Sequence, residues 1–75
     1  MSDARQRFVR LAEARTNKVL NDISSLSNLS NRSNYSYTQE DVKKIFSSIN
    51  AELKAAQVRF ETSLKINKKD SFTLD

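Results

Sequence analysis

TQEDVKKIFSSINAELKAAQVRF, residues 38–60, carries the most regular apolar pattern in the chain. Within it Val42, Phe46, Ile49, Leu53, Ala56 and Phe60 recur at alternating four- and three-residue steps, with Ile45 and Leu64 beside them. Such spacing holds apolar side chains on one side of an α-helix and is incompatible with the two-residue period of a strand. The stripe is narrow, about 100° on helical-wheel arithmetic. Thr38 followed three residues later by Asp41 reads as an N-cap, and Glu40 and Asp41 place negative charge at the positive end of the helix dipole. Glu40 with Lys44 and Glu61 with Lys65 are four-residue pairs in the favourable order. A helix over about residues 39–66 follows, roughly 42 Å long.

A second periodic segment precedes it. Val9, Ala12, Thr16, Val19, Ile23 and Leu26 alternate three- and four-residue steps, and Phe8, Leu11 and Leu20 widen the stripe to about half the circumference. Asp3 with Gln6 suits an N-cap, so this helix is expected over about residues 3–26, roughly 36 Å. Two helices of similar length favour an all-α fold, an antiparallel helical hairpin. One neighbour cannot cover the wider face, so two hairpins are expected to dimerise into a four-helix bundle through Phe8, Leu11 and Arg15; the alternative is a monomer whose connector and tail fold back over the gap. Arg15 within that face has two readings: an ion pair across the dimer with Asp22 or an acid of the second helix, or a stem that packs while the guanidinium reaches water.

Composition points the same way. The chain has 75 residues, enough for one small core, and a domain of this size needs a disulfide, a metal or a second copy for stability. Cysteine and histidine are absent, which leaves the second copy. Glycine and proline are absent too, which disfavours an all-β reading, since hairpin turns lean on glycine. No apolar run approaches the roughly 20 residues that span a bilayer. No apolar stretch follows the charged start, so no secretory leader is expected and the cytoplasm is the expected compartment.

Between the helices, the connector at about residues 27–38 holds three Asn-x-Ser triplets, Asn28-Leu29-Ser30, Asn31-Arg32-Ser33 and Asn34-Tyr35-Ser36, then Tyr37 and Thr38. Each matches a glycosylation acceptor formally, but without a secretory leader the physical content is local hydrogen bonding. Asn and Ser side chains bond nearby backbone groups and compete with helix, and Asn tolerates left-handed backbone, so Asn28 or Asn31 is expected to end the first helix. Leu29, Tyr35 and Tyr37 suit an ordered cap on the hairpin core, while Asn31, Arg32, Asn34, Tyr35 and Tyr37 suit partner binding; the two roles are compatible. Residues 70–75, without helical period, read as a mobile tail.

The run NLSNRSNYSYTQEDVKKIF, preceded by LAEARTNKVLNDI, resembles a recurring class of small bacterial helical proteins. The resemblance covers roughly residues 8–60. It implies a bacterial, cytoplasmic, stand-alone product and brings neither an activity nor functional residues.

Catalysis finds little to work with: no histidine base, no cysteine nucleophile, and no glycine for a phosphate-cradling loop. No cofactor or metal is expected. The net charge of +4 is spread along the chain, with five basic and three acidic residues in 1–26 and five and four in 38–66. Interleaving of this kind describes a solvated face. Arg7, Arg10 and Lys18 share the polar side of the first helix and are the candidates for nucleic-acid contact, diluted by Glu13 and Asp22. The expected function is a non-enzymatic interaction module that self-associates and binds another protein, as regulator or inhibitor. The alternative is a basic DNA- or RNA-binding accessory protein.

Overall fold

A computed structural model describes residues 3–73, with side chains described over 3–65. The fold is all-helical with two helices, and no strand occurs among the described residues. Helix α1 spans Asp3–Ser27 and helix α2 spans Gln39–Thr73, with a 3-10 turn at Asn28–Ser30 after α1. The chain divides into two units, Met1–Ser36 and Tyr37–Asp75.

In the first unit, α1 ends at Ser27, one residue later than the periodicity predicts. Asp3 lies inside the first turn, not at the N-cap expected of it. There its negative charge still lies in the first turn, at the positive end of the helix dipole. The C-terminal end is closed by tightening. Ser27 donates its hydroxyl to the Ser24 carbonyl at 2.7 Å, giving a partner to one of the carbonyls that the last turn leaves open. The backbone then passes into the 3-10 turn and leaves helical geometry at Asn31, with φ −69° and ψ 104°. Asn31 therefore does break the run, but not by the left-handed route. No described residue has positive φ. The stop comes from extended backbone, which any residue can adopt, together with an asparagine side chain that rewards it.

That reward is a small turn built on Asn31. Its side-chain Oδ1 accepts from the Ser33 N–H at 2.9 Å, an Asx turn. Its carbonyl accepts from the Asn34 and Tyr35 N–H groups at 3.1 and 3.0 Å. One asparagine thus serves three backbone donors in a segment with no ladder to serve them.

The second unit opens with a reciprocal cap. Asp41 N–H donates to Thr38 Oγ1 at 3.1 Å, and Thr38 N–H donates to Asp41 Oδ2 at 2.9 Å. The Thr38 carbonyl accepts from Val42 N–H at 3.2 Å and begins the helical ladder. This is a capping box with aspartate in the position usually held by Glu or Gln. Tyr37 and Val42 occupy the two positions of the hydrophobic staple that accompanies such a box, and both are half-buried between exposed neighbours.

Helix α2 then runs to Thr73, beyond the end expected near residue 66. Of the expected tail 70–75, residues 70–73 are helical and 74–75 lie outside the described residues. No glycine or proline occurs there to stop the helix, and Lys68 and Lys69 are good helix formers close to its negative end. Loss of apolar periodicity is a signal about burial, and it does not end a helix by itself.

Removing the cap should be costly. Thr38→Ala is expected to destabilise the protein by about 1 kcal/mol, while Thr38→Ser should retain most of the stability. Urea or thermal unfolding followed by circular dichroism measures both.

Candidate partner-binding surface

Each unit, described by itself, carries an apolar stripe that is only partly covered. In α1, Phe8 is 49%, Leu20 58% and Ile23 41% exposed; in α2, Phe46 is 45%, Leu53 56% and Phe60 60% exposed. Val9, Leu11, Ala12 and Leu26 in α1, and Val42 and Ile49 in α2, are half-buried. No side chain among the described residues is fully buried. Within each helix taken by itself, neighbours three and four residues away give these side chains partial cover. Apolar stripes of this length are exposed surface that folded proteins ordinarily cover.

The three residues assigned to a dimer interface divide accordingly. Leu11 is half-buried, whereas Phe8 and Arg15 are exposed. Phe8 has a companion that periodicity did not single out: the Arg5 guanidinium lies over its ring, 5.9 Å from the centroid. A cation over an aromatic face at that distance is worth about 0.5–1 kcal/mol at an exposed site. The three-residue spacing of Arg5 and Phe8 is the signal that marks such a pair.

The polar side of α1 carries Arg7, Arg10 and Lys18, all exposed. Lys18 donates to Asp22 Oδ2 at 3.0 Å, four residues on. Both side chains are well exposed, 75% and 66%, so the pair contributes little to stability. It matters more for the surface charge. One of the three candidate phosphate contacts already has an acid beside it, which weakens the local positive field.

In the connector, Asn31, Arg32, Asn34 and Tyr35 are exposed and Tyr37 is half-buried. The Asn31 turn holds Asn34 and Tyr35 by their backbone N–H groups, so those two side chains are displayed from an ordered base. Tyr37 has a different place: it stands directly before the Thr38 cap, in the staple of α2. Hence the five connector residues do not form one set. Asn31 shapes the turn, Tyr37 belongs to the start of α2, and Arg32, Asn34 and Tyr35 are exposed between them.

Among the described residues no group of three or more His, Cys, Asp or Glu side chains is placed to hold a metal ion, and no helix is long and apolar enough to cross a membrane. No protein-family model matches the chain, and no curated protein or solved structure matches it either, so function is to be read from the residues themselves.

The two connector tyrosines should separate on mutation. Tyr37→Ala is expected to lower the melting temperature measurably, by the equivalent of about 1 kcal/mol of lost apolar burial, and Tyr35→Ala to leave it nearly unchanged. Equal losses in the two variants would remove the distinction.

Proposed function

We propose that this chain is a non-enzymatic helical interaction module. In this reading α1 and α2 pair as an antiparallel hairpin, two hairpins associate through α1 into a four-helix bundle, and the connector holds another protein as regulator or inhibitor. The observation that carries it is the exposure of the apolar stripes along both helices, from Phe8 at 49% to Phe60 at 60%, in a chain with no cysteine to brace it.

Register supports the hairpin. Counted back from Leu26, the α1 seam steps three, four, three, four, three; counted forward from Val42, the α2 seam steps four, three, four, three, four. Along two antiparallel helices these positions stay within one residue of each other, about 1.5 Å, over the whole length. Leu26 then meets Val42 beside the connector, Ala12 meets Ala56, and Val9 meets Phe60 at the far end. The wider α1 stripe is left with a flank for a second copy. For the outward partner, Arg32, Asn34 and Tyr35 supply residue types common in protein interfaces, on a turn whose shape is set by Asn31.

Nucleic-acid binding is less well supported, because the basic residues of α1 alternate with acids and Lys18 is paired with Asp22. Two measurements test the reading. Light scattering at micromolar concentration should return the mass of a dimer, and a monomer at every concentration would refute self-association. A labelled duplex at low salt should not be retained. Retention that falls steeply with added salt would instead establish the nucleic-acid role.

A further inference from the structure

One edge of α1 has a charge pattern suited to a particular neighbour, its own copy. At 100° per residue Phe8, Leu11, Arg15 and Asp22 fall within about 60° of one another, beside the seam assigned to α2, and Leu26 of that seam lies at their border. Phe8, Arg15 and Asp22 are exposed there. Arg15 and Asp22 stand seven residues apart, two helical turns, on the same edge and with opposite charge.

We propose that α1 pairs with α1 of a second copy antiparallel, about a two-fold axis between Lys18 and Val19, so that Arg15 of each copy bonds the partner's Asp22. This deepens the self-association described above and rests on it. In this register Leu11 lies against the partner's Leu26 and Phe8 against the partner's Leu29, while the two ion pairs flank the axis symmetrically. An isologous contact needs a self-complementary patch, and this edge is one. A parallel, in-register pair would instead set arginine against arginine and aspartate against aspartate, which disfavours that arrangement. The Lys18 contact does not compete: it uses Oδ2 of Asp22, and a carboxylate has lone pairs enough on its other oxygen for a guanidinium. Each Lys18 near the axis is also partly neutralised by its own Asp22.

The register is tested by two single variants, Arg15→Glu and Asp22→Arg, with analytical ultracentrifugation as readout and circular dichroism to verify helicity. Each variant alone turns both symmetric pairs repulsive and should weaken dimerisation about tenfold or more. An equimolar mixture should recover the dimer, because every pair in the mixed species is again opposite in sign. Recovery also shows that both variants remain folded. A variant that dimerises like the wild type, or a mixture that does not recover, overturns the register while leaving self-association standing. A wild-type chain that is monomeric overturns self-association itself. Orientation has an independent check, since the chain has no native cysteine to interfere. Residue 4 of the two copies would lie roughly 40 Å apart in the antiparallel pair, at 1.5 Å per residue. Ala4→Cys should therefore give no oxidative crosslink within the dimer, and efficient crosslinking would establish parallel pairing instead.

Discussion

The reciprocal hydrogen bonds between Thr38 and Asp41 set the phase of everything C-terminal to them. A helix started one residue earlier or later would turn its stripe by about 100°. The Ser- and Asn-rich segment before it offers several other side chains able to cap a helix. Thr38 is the one with an acid three residues ahead and an aromatic residue immediately behind. That combination closes two backbone donors at once and seats Tyr37 near the first turn. The narrow seam from Val42 to Phe60 then points in one direction from its first residue onward.

The first unit uses different means to the same end. Its helix is shut off by a serine hydroxyl on a carbonyl, a tightened turn, and an asparagine that collects three N–H groups. Nothing in this arrangement is buried, so each bond competes with water and contributes on the order of 1 kcal/mol or less. What these bonds supply is definition: they fix where helix gives way to connector. Stability on the scale of a folded domain has to come from apolar contact, which is the role the proposed helix pairing gives to the two seams.

Much of this was legible in the residues. The α1 limits and the Thr38 cap followed from periodicity and from the chemistry of one hydroxyl and one carboxylate, because both depend on neighbours at most four residues away. The end of α2 was not legible, since a helix with no glycine or proline can continue after its apolar pattern stops. The left-handed stop at asparagine was a wrong expectation for a related reason. Asn tolerates positive φ, but a side chain that can hold an Asx turn makes extended backbone equally serviceable, and residue type cannot distinguish the two. Within the candidate surface, the five connector residues looked equivalent by composition; the turn at Asn31 and the cap at Thr38 are what separate Tyr35 from Tyr37. The diluting effect of Asp22 is visible in the sequence, and the structure adds its direct pairing with Lys18.

The absence of positive φ among the described residues has a consequence for the unfolded chain. Glycine is tolerated in proteins at a thermodynamic cost, because its wide conformational freedom must be surrendered on folding. A sequence that makes its turns from asparagine, serine and threonine at negative φ never incurs that cost. Its denatured ensemble is correspondingly narrower, so less entropy opposes the folded state. Restricting the disordered state is a source of stability that no contact in the folded molecule reveals.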